Sequence, residues 1–219
     1  MDTILSQKLA NYVNALRLKK EFIVYDTIDG NYNHMGATVA DAVLQANLRY
    51  KTHVEPRVER IRKNYPDAIS TSAVLQLLES IPTTEFLFWR GKDRADRFDE
   101  VIRLFKSENI ETENDLKRLF NADQSGILEQ KLLCIKGIGQ KTVDYFKILI
   151  GISTSAIDRH LLNFLEAAEI HNSNYNEAQE IINSAADYLK IDRAIFDHSI
   201  WQYMSNRPAA SPLKLCKAK

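Results

Sequence analysis

The chain has 219 residues, 45% of them apolar, which is enough for one large domain or two small ones with a buried core. Its 29 basic residues balance 29 acidic ones, which argues against a disordered acidic or basic tail protein. Neutrality does not exclude a nucleic-acid partner, because a neutral protein can still carry one basic face.

The predicted elements are almost all helices, because apolar residues recur at helical spacing and glycine and proline are few. The segment EFIVYDTIDGNYNHMG breaks this spacing and is predicted to be a loop, with a short extended piece at 22–25. The tail from Ser205 is expected to fray. We predict an all-α fold with helices at 3–20, 37–48, 54–65, 93–108, about 125–134, 140–150, 156–170, 176–189 and 191–204, and shorter ones capped by Thr71 or Ser72, after Pro82, and capped by Thr112.

The two cysteines, Cys134 and Cys216, form no CxxC pair. They cannot supply a four-cysteine zinc or iron–sulfur site, and we expect two free thiols, with a single disulfide as the alternative. The first residues lack the basic start and apolar run of a signal peptide, and no stretch approaches ~18 uninterrupted apolar residues. We therefore expect a cytoplasmic or nucleoid-associated protein without membrane contact.

The segment IKGIGQKT, residues 135–142, joins two predicted helices and contains two glycines one residue apart. Glycine allows backbone conformations closed to other residues and lets another group approach closely. Backbone N–H groups beside a helix N-terminus also form an anion site that suits a phosphate. A tight turn between packed helices is the alternative, and the glycine pair alone does not decide between them.

Two motifs together resemble the helix–hairpin–helix DNA glycosylase superfamily typified by endonuclease III. LLCIKGIGQKT is similar to the family's hairpin, and AIDRHLLNF, which places Asp158 seventeen residues after Lys141, resembles the family's AVDTHV segment. Weaker similarities are AVLQANL, RVERIRKNYPDAISTSAVLQLL and GKDRADRFDEVIRLF. The separation of the two motifs is about one residue shorter than in common members, and the four cysteines of the endonuclease III cluster are missing.

The resemblance implies two helical lobes with a DNA-binding cleft between them. One lobe would be a six-helix unit at 34–152, with the helix–hairpin–helix at about 128–150. The other would combine 1–33 with 153–219 and carry the catalytic aspartate.

The resemblance also implies a base-excision repair glycosylase with abasic-site lyase activity. A base inside a duplex must be extruded before its glycosidic bond can be reached. Lys141 would then attack C1′ as a neutral amine, form a Schiff base and allow β-elimination, assisted by Asp158. The alternatives are a Lys141 that only contacts phosphate and an Asp158 that only caps a helix.

Further roles follow from the same resemblance. His198 could line the base pocket, although a structural histidine is the favoured alternative, and for Trp89 core packing is favoured over insertion into DNA. The implied DNA contacts are the hairpin amides of Gly137, Ile138 and Gly139, the charge of Lys136, and the side chains of Gln45 and Arg90, which would fill the gap left by the extruded base.

The expected partner is duplex DNA with a damaged base or an abasic site, bound by a monomer. No cofactor and no iron–sulfur cluster are expected, although main-chain carbonyls of the hairpin could hold a monovalent cation. Two basic clusters could contact DNA: Lys51, His53, Arg57, Arg60, Arg62 and Lys63, and Arg90, Lys92, Arg94 and Arg97.

Two alternatives to a DNA glycosylase remain. One is a non-catalytic helix–hairpin–helix DNA-binding protein, and the other is an all-α scaffold.

Overall fold

The computed structural model describes residues 2–46, 48–122, 125–172 and 174–206. Throughout these ranges the regular structure is helical and no strand forms, which confirms the all-α prediction. The segment 22–25 is likewise not a strand; within it, Phe22 packs into a hydrophobic core, whereas Ile23 is exposed. Cys134 is exposed and free, whereas Cys216 and the tail that was expected to fray lie outside the described residues, apart from its first two positions.

The described residues form twelve α-helices and one π-helical turn, Tyr50–Val54, which leads directly into the third helix. The helices are α1 Asp2–Leu18, α2 Met35–Leu44, α3 Glu55–Asn64, α4 Thr71–Leu78, α5 Thr83–Phe86, α6 Lys92–Ser107, α7 Glu113–Ala122, α8 Ile127–Leu133, α9 Gln140–Leu149, α10 Arg159–Ala167, α11 Tyr175–Leu189 and α12 Arg193–Ser205. None of them is both long and apolar enough to cross a bilayer, within the part of the chain that the structure describes.

Of two helix caps predicted from the sequence, one is confirmed and one is wrong. The Thr112 hydroxyl accepts a hydrogen bond from the Asp115 amide at 3.3 Å, as predicted for the start of α7. The predicted cap of α4 at Thr71 or Ser72 is wrong, because Ser70 has the extended backbone and accepts from the Ala73 amide at 3.1 Å. The Thr71 hydroxyl donates instead to the Ile110 carbonyl at 2.6 Å.

The chain divides into two compact units. We call Ile28–Ala156 the central unit, and the chain up to Thr27 together with the chain from Ile157 onward the terminal unit. The assignment of such units to the two sides of a DNA cleft remains a prediction.

Helix α2 lies at the heart of the central unit, with all ten of its residues buried. Asp41 is its only charged residue, and a helix that is apolar on all sides is stable only when neighbours surround it. Helices α3, α4, α6 and α9 pack around it. This packing places the residues that follow α2 next to the start of α9.

The terminal unit is built on α1, α10, α11 and α12. Aromatic rings make up much of its core: Phe164 of α10 contacts Phe22 at 5.7 Å and Tyr12 at 5.5 Å between ring centroids. This core supports the start of α10, where Asp158 lies.

Candidate active site

The hairpin between α8 and α9 is a compact turn fastened by two buried isoleucines. The Ile138 amide donates to the Ile135 carbonyl at 3.0 Å, and the two side chains are 5% and 8% exposed. Gly139 then precedes α9 with extended backbone, and its carbonyl accepts from the Thr142 amide at 2.9 Å. Local sequence therefore produces a hydrogen-bonded turn with the N-terminus of α9 at its end.

The two hairpin glycines differ in backbone conformation and in surroundings. Gly137 has a φ of +86°, and a Cβ there would collide with the guanidinium of Arg97. Arg97 is held in place because its Nε donates to the Lys136 carbonyl at 2.9 Å. Within the described part of the chain, no heavy atom outside the neighbouring residues lies within 4 Å of the position that a Cβ at Gly139 would take. The positive φ therefore favours glycine at position 137, and the second glycine leaves the hairpin surface open.

Lys141 lies in the first turn of α9 and is half-buried. Its Nζ donates to Gln45 Oε1 at 3.0 Å, which joins two residues 96 positions apart. Gln45 directly follows α2, and its Nε2 is buried and has no hydrogen-bond partner among the residues that the structure describes. The structure therefore brings together two of the predicted site residues within the central unit.

A second contact between α2 and α9 involves residues that the sequence did not point out as functional. The carboxylate of Asp41 accepts hydrogen bonds from Tyr145 at 3.2 Å, Tyr32 at 2.7 Å and Tyr50 at 3.0 Å. Burial raises the pKa of the Asp41 carboxyl to about 6, and the tyrosine hydrogen bonds oppose this rise. One charge in an otherwise apolar helix was the available signal, but the sequence does not say which hydroxyls meet it.

The turn between α5 and α6 carries the second predicted DNA-inserting position. Trp89 lies between two guanidinium groups, with Arg57 at 5.0 Å and Arg94 at 4.8 Å from its ring centroid. These contacts favour packing over insertion for Trp89, whereas Arg90 is exposed on the same turn. Arg94 also donates to the Ala46 carbonyl at 2.5 Å, which ties this turn to the segment after α2.

Many basic side chains of the central unit have no ion-pair partner among the residues that the structure describes. Among the described ion pairs, Lys92 bonds to Asp96 at 2.6 Å and Arg103 lies 3.9 Å from Asp99, so part of α6 is neutralised. No carboxylate lies within ion-pair distance of the following residues among those that the structure describes: Arg57, Arg60, Arg90, Arg94, Arg97, Lys136 and Lys141. We call these seven residues the unpaired basic set.

Asp158 belongs to the terminal unit and caps α10. Its Oδ1 accepts from the amides of His160 at 2.7 Å and Leu161 at 3.1 Å, so the capping role is observed. The preceding Ile157 amide donates to the Tyr175 hydroxyl at 3.1 Å, which fixes the backbone on the other side. None of these bonds uses Oδ2, so capping leaves one carboxylate oxygen for another role.

His198 lies in an aromatic group of the terminal unit. Its ring packs edge-on against Tyr25 at 5.2 Å and stacks near Trp201 at 6.4 Å between centroids. A ring nitrogen also lies 3.2 Å from the amide nitrogen of Gln202. These contacts favour the structural role that was the alternative for this histidine.

A family model described as "Domain of unknown function (DUF8548)" matches residues 89–205, which is more than half of the chain. The chain belongs to this family. The matched region includes the glycine hairpin, Lys141 and Asp158. The family description names no activity, so it does not by itself assign one.

Curated relatives connect part of the chain with DNA repair. An 8-oxoguanine DNA glycosylase/AP lyase of Saccharolobus islandicus is 30% identical over 102 residues, which cover 42% of this chain and 49% of that protein. The protein of the same description from Saccharolobus solfataricus is 29% identical over the same length. The chain spans about half the length of these relatives, and no solved structure matches it. The helix–hairpin–helix resemblance is therefore supported as a distant and partial relationship.

Proposed function

We propose that the protein is a DNA repair glycosylase with abasic-site lyase activity. The observation that carries this proposal is the position of Lys141, which follows an open glycine hairpin and contacts Gln45 at 3.0 Å. The partial similarity to 8-oxoguanine DNA glycosylase/AP lyases supports the same conclusion. Because these relatives are 8-oxoguanine DNA glycosylases, 8-oxoguanine is the first lesion to test.

The hairpin would hold the DNA backbone. The Gly139 amide has no acceptor among the described residues, and the first amides of α9 also point out of the helix N-terminus. Unpaired N–H groups at a helix start favour a phosphate. Lys136 and the other members of the unpaired basic set would add sequence-independent attraction to the same polyanion.

Lys141 would carry out the chemistry once the damaged base is extruded. Its amine attacks C1′, the bond from C1′ to the base breaks, and the base leaves and takes up a proton. Opening of the sugar ring gives an iminium between C1′ and Nζ. Loss of a C2′ proton then expels the 3′ phosphate, and water releases Lys141. Asp158 would stabilise the cationic sugar or move these protons with its Oδ2 oxygen.

This mechanism needs no metal ion or organic cofactor in any step. Main-chain carbonyls of the hairpin could hold a monovalent cation. Two of them already accept hydrogen bonds: the Lys136 carbonyl accepts one from Arg97, and the Ile135 carbonyl accepts one from the Ile138 amide. The guanidinium of Arg97 thus already brings positive charge to this side of the hairpin. We propose that a cation, where present, only supports the shape of the hairpin.

The second candidate is a non-catalytic helix–hairpin–helix protein that grips DNA. The unpaired basic set and the open surface at Gly139 favour it, because both features would serve binding without chemistry. Such a protein binds duplex DNA but leaves it intact. The two candidates therefore differ in turnover and not in affinity.

Borohydride trapping on a duplex with one abasic site distinguishes the candidates. We expect a covalent protein–DNA adduct from the wild-type chain and none from Lys141→Ala. Lys136→Ala is the matched control, since it removes a lysine of the same hairpin and should still give the adduct at saturating DNA. No adduct from the wild type, or an equal adduct from Lys141→Ala, would rule out the lyase.

A further inference from the structure

Helices α2 and α9 are joined by two side-chain hydrogen bonds one helical turn apart. Lys141 donates to Gln45 at 3.0 Å, and Tyr145 donates to Asp41 at 3.2 Å. Residues four apart lie on the same face of a helix, so Asp41 and Gln45 share one face of α2 as Lys141 and Tyr145 share one face of α9. The two bonds are therefore successive steps of one interface.

Asp41 is completely buried, and its hydrogen bonds come from three separate segments. Tyr32 precedes α2, Tyr50 begins the π-helical turn, and Tyr145 belongs to α9. The hydroxyls of Tyr32 and Tyr50 approach Oδ2, whereas Tyr145 approaches Oδ1. The two carboxylate oxygens thus bond to different segments, and of the two it is Oδ1 that accepts the hydrogen bond from α9.

A buried carboxylate costs stability compared with apolar residues of similar size. Buried apolar residues of both helices belong to the same hydrophobic core, among them Ala37, four residues before Asp41, and Leu149, four residues after Tyr145, both 0% exposed. Apolar contacts are non-directional, so they hold two helices together without strongly fixing their register. A hydrogen bond to a fixed carboxylate is directional and supplies the missing register.

We propose that Asp41 and Tyr145 are positioning residues for Lys141. Their hydrogen bond fixes the rotation and register of α9 against α2, which holds Lys141 beside Gln45 at the end of the hairpin. The inference rests on the proposed role of Lys141 as nucleophile. A shift of one residue would move α9 by about 1.5 Å and turn Lys141 away by about 100°. Displacements of this size strongly slow reactions that depend on exact placement.

Tyr145→Phe and Tyr50→Phe form a matched pair of variants, because each removes one hydroxyl from Asp41 and only Tyr145 lies on α9. The measurement is the single-turnover rate of borohydride-trapped adduct formation on an abasic duplex at saturating DNA. We expect Tyr145→Phe to slow this rate by about ten-fold and Tyr50→Phe by less than about two-fold. The dissociation constant for DNA should stay within about two-fold of wild type for both.

Chemical denaturation identifies a merely structural effect. Both variants should lose similar stability, so a general loosening of the fold would slow both equally and overturn the inference. Asp41→Leu and Asp41→Asn give a second comparison: leucine should lower the rate, and asparagine, which still offers polar partners to the tyrosines, should restore most of it. Equal rates for the two Asp41 variants would also overturn it. A wild-type chain without any adduct refutes the proposed function, and the inference falls with it.

Discussion

Lys141 Nζ lies 3.0 Å from Gln45 Oε1, so the predicted nucleophile and the residue predicted to fill the gap of the extruded base are hydrogen-bonded neighbours. A Gln45 side chain that enters the DNA stack, as predicted, would have to give up this bond and release Lys141 from its partner. Under the proposed function, the contact would link base extrusion to the availability of the amine.

Replacing Gln45 should affect damaged-base removal more than abasic-site cleavage. Gln45→Leu keeps the size of the side chain but removes its polar contacts, and an abasic site needs no base to be extruded. We expect the single-turnover rate on 8-oxoguanine duplex to fall about 10- to 100-fold and the adduct rate on an abasic duplex by less than about five-fold. Gln130→Leu, at an exposed position of α8, should change neither rate. Equal losses on both substrates would contradict a role in extrusion.

Alanine at the two hairpin glycines should have opposite consequences. Gly137→Ala places a Cβ against Arg97 at a positive φ, and should lower the free energy of unfolding by about 1–3 kcal/mol. Gly139→Ala meets no neighbour and should change it by less than about 0.5 kcal/mol. The added methyl at Gly139 should instead weaken DNA binding, measured by fluorescence anisotropy. Undisturbed binding by Gly139→Ala would argue against phosphate at the hairpin.

Asp41 should make stability depend on pH. Burial raises the pKa of its carboxyl to about 6 from an ordinary value of 3.8, so the folded state holds the proton more tightly than the unfolded state. The stability that comes from this tighter proton binding is complete below pH ~4. It is lost as the pH rises through ~6, which lowers the free energy of unfolding by about 3 kcal/mol. Relative to wild type, Asp41→Asn should therefore gain stability between pH 4 and pH 7 in urea denaturation. A difference that does not change with pH would contradict the buried carboxylate.

DNA binding should weaken steeply as the salt concentration rises. Replacing a single member of the unpaired basic set with a neutral residue should make this salt dependence less steep. Each phosphate contact contributes a slope of about −0.9 in the logarithm of affinity against the logarithm of salt concentration. Arg97→Gln should lower the slope by about one contact. Arg103→Gln, on the same helix but 3.9 Å from Asp99, should leave it unchanged. Identical slopes for the two variants would show that Arg97 makes no phosphate contact.

Asp158 variants can separate helix capping from chemistry. Asp158→Asn keeps a side-chain oxygen for the amides of His160 and Leu161, so the free energy of unfolding should change by less than about 0.5 kcal/mol. The base-removal rate should nevertheless fall about 10²- to 10⁴-fold, because the carboxylate charge is lost. Asp158→Ala should lose both functions. Full activity in Asp158→Asn would reduce this residue to a cap.

Much of the architecture follows from local sequence. Helical spacing of apolar residues is set by 3.6 residues per turn, so the helices could be placed, and Thr112 was correctly identified as a cap. The cap of α4 was wrong by one residue, because Thr71 and Ser72 find partners at Ile110 and Glu111 that are distant in sequence. Local rules therefore set where helices form, and tertiary contacts adjust where they begin.

The helical class, the glycine hairpin and the spacing of Lys141 and Asp158 follow from the amino-acid order alone, because all three depend on residues close together along the chain. Folding brings Lys141 to Gln45 and three tyrosines to Asp41, which the sequence did not predict. The contact of Arg97 with Gly137 likewise appears only in the folded chain. These contacts join segments that come together only when the apolar faces of the helices are buried. Their partners depend on packing and register, which a single sequence does not display.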